Sequence, residues 1–277
     1  MEWFGGVDCP RRIALGPNLD DKVSIMPTQR FMRSTIALLC AGGATALACS
    51  GADIASATTA TTGVVPAAYK AFTSDVQVAL DGDFITLTAT GIPNHKSPYF
   101  ATSDARFEAY TGTNANFAKA PGSITATRYV MRIPLHPARA ATSAPTPLGP
   151  IGLALNGVPF FNQYNGQNRP LTVEIDSFDQ YNGHPTPTNA YHYHVEPVYL
   201  TRTVGSDRLL GFLLDGFPVY GPVESGRRVV NGDLDQLHGH LGKTAEYPDG
   251  IYHYHITDAD PFLNGAGFYG SAGTVNR

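Results

Sequence analysis

The feature that most limits what this chain can become is a stretch of sequence that occurs twice. Gly152-Leu153-Ala154-Leu155-Asn156-Gly157-Val158-Pro159-Phe160-Phe161 returns, 59 positions on, as Gly211-Phe212-Leu213-Leu214-Asp215-Gly216-Phe217-Pro218-Val219-Tyr220. Asp179-Gln180-Tyr181-Asn182-Gly183-His184 returns as Asp235-Gln236-Leu237-His238-Gly239-His240, and Tyr191-His192-Tyr193-His194 as Tyr252-His253-Tyr254-His255. Three blocks in one order at nearly constant spacing mark a duplicated unit of about sixty residues, covering about 150–200 and 210–265.

Each copy has a readable local structure. Leu-(Asn/Asp)-Gly-x-Pro places an apolar run before a glycine turn and a proline that cannot donate to a ladder, so a short strand enters a tight turn. Tyr-His-Tyr-His alternates with period two. On a strand this sends His192 and His194 to one face and Tyr191 and Tyr193 to the other, with His253 and His255 likewise opposite Tyr252 and Tyr254. Ahead of the copies, Ser74–Leu80 and Phe84–Thr90 flank Asp81-Gly82-Asp83 as a hairpin would, and Arg128–Ile133 and Leu171–Ile175 read as further strands. Tyr99–Ala109 has a weak helical tendency. Charged residues are 15% of the chain, well under the usual quarter, while 29 Gly, 21 Pro and 14 Tyr favour short strands and turns over surface helices. The expected fold is mainly β: a single compact domain over 69–277, with short strands and long loops, built around the two repeats with an additional N-terminal strand region.

The beginning of the chain reads as leader rather than fold. Arg30-Phe31-Met32-Arg33, the uncharged run Ser34–Ala48 and the small-residue end Ala46-Leu47-Ala48 are the three regions of a secretory signal. The run falls short of the roughly 20 apolar residues of a membrane span. Met26 is then the expected start, with 1–25 an over-extended N-terminus, 26–48 the signal peptide and 49–68 a flexible tether rich in Ser, Thr, Ala and Gly. Cys49 at the junction leaves two outcomes open: lipidation, which would anchor a lipoprotein to a membrane, or simple cleavage. Either implies an exported protein, periplasmic or extracellular. With 19 Lys and Arg against 23 Asp and Glu, the chain offers no basic footprint, and nucleic acid is excluded as a partner.

Seven of the nine histidines, His184, His192, His194, His238, His240, His253 and His255, fall inside the duplicated unit. Neutral imidazole is the commonest metal ligand, and two at i and i+2 on a strand can reach one cation. If the copies pair about a twofold axis, their His-x-His strands meet at the seam in one shared site. His184 and His240 would extend that site, and His238, opposite Asn182 in the other copy, would break its symmetry. Asp179 and Asp235, at equivalent positions, are expected behind the imidazoles as acceptors for ring N–H groups. Glu196 and Asp258, just beyond the His pairs, are candidate general bases. His95 and His136 read instead as hydrogen-bonded structural residues. All three cysteines lie at or before position 49 and Met131 is the one methionine beyond the leader, which disfavours soft-metal and iron–sulfur chemistry. The cofactor expected is a divalent transition metal, Cu(II) or Zn.

The two Tyr-His-Tyr-His tetrapeptides, with Leu210-Gly211-Phe212-Leu213-Leu214-Asp215-Gly216-Phe217-Pro218-Val219-Tyr220-Gly221-Pro222 between them, resemble the YHYH-domain proteins, mostly exported bacterial proteins. The resemblance covers about 150–270 closely and 70–150 loosely. It implies that the doubled motif is a family trait, and it implies no particular metal or reaction. Many relatives carry Cys-Asn-Gly-Arg where this chain has His238-Gly239-His240, so a family disulfide does not apply here.

Two functions fit these observations. One is an exported metal-binding protein whose His-rich site is formed by the two repeats, with or without catalysis. The other is a non-catalytic secreted or lipid-tethered interaction module. There the Tyr- and Asn-rich loops at 161–166 and 180–183 would dock a small ligand, a glycan or another envelope component, and the Tyr/His strands would be structural.

Overall fold

The computed structural model of the protein describes residues 64–265 and 267–277. The signal region, Cys49 and nearly all of the expected tether lie outside the described residues. A 3-10 turn, Ala67–Ala71, already buries Ala68 and Tyr69, the latter stacked on Phe212 at 4.3 Å, so the core starts within the last residues read as tether.

Three strands precede the duplicated unit: β1 (Gln77–Asp81), β2 (Phe84–Ala89) and β3 (Tyr129–Pro134). The first copy supplies β4 (Pro150–Ala154), β5 (Pro159–Phe161), β6 (Gly183–Pro185) and β7 (Tyr191–Tyr193). After one helix, α1 (Val198–Val204), the second copy supplies β8 (Leu209–Leu213) and β9 (Pro218–Tyr220). A small hairpin of β10 (Val223–Glu224) and β11 (Arg227–Arg228) is followed by β12 (Gly239–Gly242), β13 (Ile251–His255) and β14 (Thr274–Asn276).

The N-terminal hairpin pairs Asp81 with Phe84 around Gly82-Asp83, as the turn residues predict. It joins β3 and β14 in a four-stranded antiparallel sheet whose inner face is Ile85, Leu87, Ala89, Tyr129, Met131 and Ile133. That face shares one hydrophobic cluster with an eight-stranded mixed sheet ordered β12-β13-β9-β8-β4-β5-β7-β6.

From the middle outward the large sheet reads the same in both directions. At its centre β4 and β8 run antiparallel, pairing Gly152 with Leu213, Leu153 with Phe212 and Ala154 with Gly211. Exchanging each residue for its counterpart 59 positions away returns the same three pairs, so a local twofold axis passes through Leu153 and Phe212. Both strands are buried along their whole length, as central strands covered on both faces must be. The two copies approach closely here because glycine occupies both sides. A Cβ on Gly152 would lie 2.4 Å from the Phe212 carbonyl oxygen, and one on Gly211 would lie 2.2 Å from that of Leu153. Each hairpin then hands over to its histidine strand in parallel, β5 to β7 and β9 to β13, across crossovers of about thirty residues.

Two expectations fail for local reasons. Leu171–Ile175 is not a strand: it leads into a 3-10 turn, Glu174–Ser177, leaving Val173 81% exposed while the Ile175 N–H donates to the Leu171 carbonyl at 2.9 Å. Tyr99–Ala109 forms turns rather than a helix, because the Asp104 carboxylate accepts from the Arg106 N–H at 2.8 Å and competes with the helical backbone pattern. The helix that does form, α1, is poor in helix formers and is framed by Pro197 and Gly205.

Replacing Gly211 by Ala is expected to cost about 3 kcal/mol by forcing the central strands apart. Gly166→Ala, where a Cβ meets nothing within 4 Å, is expected to change stability by less than about 0.5 kcal/mol. Urea unfolding of the two variants checks the contrast.

Candidate metal centres

The orientation of each histidine strand is fixed from its tyrosine face. Tyr191 donates to Asp179 Oδ2 at 2.8 Å and Tyr252 to Asp235 Oδ1 at 2.8 Å. Tyr254 donates to Asp215 Oδ2 at 2.7 Å, and the Tyr193 hydroxyl, at the equivalent place, accepts from the Asn156 amide at 3.2 Å and meets His95 Nε2 at 2.9 Å. Asp179 and Asp235 therefore serve the tyrosines and the N–H groups of their own turns, Tyr181 at 2.9 Å and Leu237 at 2.8 Å, and not the imidazoles they were expected to back. His95 is a buried, hydrogen-bonded core residue, as read from the sequence.

On the other face the imidazoles gather in two groups. Glu174, His184, His192 and His194 form one; Glu224, His240, His253 and His255 form the other. In each, one donor atom per residue lies within 4.8 Å of all the rest. The β6–β7 register sets His184 beside His192, and β12–β13 sets His240 beside His253.

Carbonyl oxygens aim most of the rings. His192 Nδ1 donates to Ala190 O at 3.1 Å and His194 Nδ1 to Asn162 O at 2.5 Å; their counterparts His253 and His255 donate to Ile251 O at 3.1 Å and Gly221 O at 2.9 Å. Ser177 gives its one proton to Glu174 O at 2.6 Å and so accepts from His184 Nδ1 at 2.8 Å. A carbonyl can only accept, so Nδ1 carries the proton in these rings and Nε2 presents its lone pair to the group's centre.

Those lone pairs converge. His192 Nε2 lies 2.9 Å from His194 Nε2, and His240 Nε2 lies 3.0 Å from His253 Nε2. Glu174 Oε1 stands 3.2 Å from His184 Nε2 and 3.9 Å from His194 Nε2, while Glu224 Oε1 stands 3.4, 3.6 and 3.9 Å from those of His240, His253 and His255. His184 Nε2 and His255 Nε2 are buried with no hydrogen-bond partner among the described residues. Electron pairs facing one another repel unless a positive charge stands between them. Nitrogens bound about 2.0–2.1 Å from one zinc ion sit roughly 3–3.5 Å apart, so the donor set fits a cation. Burial disfavours the charged form of four of these rings: it pushes the pKa of His194 and of His255 down to about 4, and lowers those of His192 and His253.

The structure replaces the expected single site at the seam by two sites far from it. The twofold axis lies on β4 and β8, and the histidine strands are separated by β5, β4, β8 and β9, about 24 Å at the usual strand spacing. His238 belongs to neither group. It takes a left-handed turn conformation, φ 73°, matching Asn182 at φ 63°, and its ring meets Thr257 Oγ1 at 3.0 Å, while Asn182 donates to Glu196 O at 3.0 Å. Glu196 and Asp258 are also outside both groups: Thr201 donates to Glu196 at 2.6 Å, and Arg228 pairs with Asp258. The carboxylates that do join, Glu174 and Glu224, escaped sequence reasoning because the crossovers holding them do not repeat. Glu174 was hidden in a segment read as a strand. Glu224 is set by a two-residue turn at Ser225 and Gly226, both at positive φ.

Each group floors a cleft. A space of about 360 Å³ opens on the first, among Leu148, Phe161, Tyr164 and Pro185; one of about 230 Å³ opens on the second, among Asp207, Arg208, Tyr220, Lys243 and Glu246.

Fold and sites together define a β-domain with two His/Glu groups that could hold metal ions. The chain belongs to the YHYH protein family, whose model matches residues 130–227 and 224–266. No curated protein and no solved structure matches the chain.

His238→Asn is expected to leave metal content unchanged and stability within about 1 kcal/mol, because the other copy places asparagine at this turn; elemental analysis and thermal unfolding check it. Asp215 gives a pH prediction. Burial raises its carboxyl pKa to about 6, above the unfolded value, so the native state binds the extra proton and stability falls as pH rises from about 4 to 6, then levels. Asp215→Asn should remove that slope, on the order of 2–3 kcal/mol, in urea titrations across the window.

Proposed function

We propose that this protein is exported and binds two divalent transition-metal ions, Cu(II) or Zn, one in each half of its sheet. The observation that carries the reading is the convergence, twice over, of three imidazole Nε2 atoms and one glutamate oxygen, with His184 Nε2 and His255 Nε2 buried and unpartnered. His184, His192, His194 and Glu174 would hold one ion, and His240, His253, His255 and Glu224 the other. Imidazole with carboxylate suits these metals, and no thiolate is present beyond position 49. Such an ion supplies Lewis acidity to an oxygen of a bound ligand. The chain's own part is to keep the rings neutral, to aim them through the carbonyls of Ala190, Asn162, Ile251 and Gly221, and to open a cleft above each set. Export is supported by the signal-like run ahead of Cys49. The rival reading as a glycan-docking module draws less support, since Asn162 and Gln163 turn inward, donating to Pro147 O at 3.1 Å and Gly265 O at 3.0 Å.

Untagged protein is expected to contain two equivalents of metal by elemental analysis. His192→Ala and His253→Ala should each lose one. Stripping both ions should remove about 2.7 kcal/mol per site when free metal stands at a hundredfold its Kd, a fall of several degrees in Tm. Metal-free wild-type protein with an unchanged Tm on metal addition would overturn the reading.

A further inference from the structure

The two groups match in their donors and differ in what surrounds them. At the first, Phe161 stacks on His192 at 3.9 Å, and Phe178 lies 4.7 Å from His184. The cleft above continues this apolar lining through Ala120, Pro121, Leu148, Tyr164 and Pro185, and among the described residues Glu174 is the one charged side chain on its walls. Leu148 and Tyr164, 49% and 37% exposed, rank among the few large apolar side chains left in water among the described residues, and both stand on this cleft. At the second group the position equivalent to Phe161 is Tyr220, whose hydroxyl donates to Glu246 at 2.6 Å, and the walls carry Asp207, Arg208 and Lys243.

From this contrast we infer that the cleft over Glu174, His184, His192 and His194 binds a small apolar molecule with one anionic oxygen head, a hydrophobic carboxylate or phenolate. The head meets the metal and the hydrocarbon body lies among Leu148, Phe161, Tyr164 and Pro185. The inference rests on the metal-binding reading above. Three neutral imidazoles and one glutamate leave a divalent ion with a positive charge uncancelled, which selects an anionic donor. The Arg277 guanidinium, 2.8 Å from where a Cβ on the wall residue Gly149 would stand, adds to the positive field. Asn165, Gln167 and Thr186 also line the cleft, but its walls are mainly apolar and favour an apolar body, since burying hydrocarbon contributes about 25 cal/mol per Å². A cleft of about 360 Å³ is at the small end of ligand sites, suited to a molecule of one ring and a short chain. The second cleft, walled by charges, offers no such body site.

Isothermal titration calorimetry of the metal-loaded full chain with 4-phenylbutyrate and with acetate tests this, alongside metal content for every sample. Expected are one 4-phenylbutyrate per chain, affinity at least tenfold above acetate, and at least a tenfold loss in Leu148→Asp, a surface change that places a like charge on the wall. His192→Ala should abolish binding and His253→Ala should preserve it. Equal affinities for the two acids, no effect of Leu148→Asp, or loss in His253→Ala with binding kept in His192→Ala would overturn the inference. Two equivalents of metal with no 4-phenylbutyrate binding would sink the inference alone; absence of metal uptake would sink the metal reading with it.

Discussion

The histidine face depends on hydrogen bonds made on the face opposite to it. A strand of three residues, Tyr191–Tyr193, has little ladder of its own, and a slip of one residue would exchange imidazoles for phenols across the sheet. What forbids the slip is the pairing of all four tyrosine hydroxyls with groups that cannot follow: Asp179, Asn156 with His95, Asp235 and Asp215. These hydroxyls are deeply placed, and a displaced one would leave both itself and its partner unpaired, at a cost of about 1–3 kcal/mol for each group. The imidazoles are therefore presented by a lock they take no part in. Asp215 shows how firm it is, since one buried carboxylate accepts from Tyr254, the Gly270 N–H and the Phe217 N–H.

The twofold arrangement follows from a steric permission. Glycine at 152 and at 211 lets β4 and β8 meet back to back, and everything outward repeats: hairpin, parallel crossover, histidine strand, edge strand. A seam built this way places the hairpin of each copy at the middle and the histidine strands on the flanks. Two copies thus give two sites, where pairing through the histidine strands would have given one.

Much of this was legible in the sequence. Period two in Tyr-His-Tyr-His set the faces, the glycine turns set the hairpins, and the offset between blocks set which residues of one half correspond to those of the other. Asn156 and Asp215 face Tyr193 and Tyr254 in the same way, and Asn182 and His238 share one turn conformation. What the pattern could not carry was pairing between strands remote in sequence, which decides whether four imidazoles meet or separate. Nor could it carry Glu174 and Glu224, since a repeat analysis is blind to residues that do not repeat. Leu171–Ile175 alternates as a strand does, yet the chain turns there because Glu174 lies against His184 while Leu171 packs with Phe178 and Val195.

Duplication with divergent crossovers explains how equal donor sets end in unequal surroundings. The strands supply the imidazoles and their carbonyl props in both halves, so neither half can favour a metal through its histidines. The crossovers supply the rest, and there the halves part. The first packs Phe178 against His184 and His194 and keeps the His184 side chain at 4% exposure; the second leaves His240 at 27% and Glu224 at 33%. A donor set open to water exchanges its ligands and its ion more readily than one roofed by aromatic rings, since each departing group is solvated as it leaves. The two flanks of one sheet thereby differ in their surroundings, through the crossovers and through Phe161 on β5 standing where β9 has Tyr220.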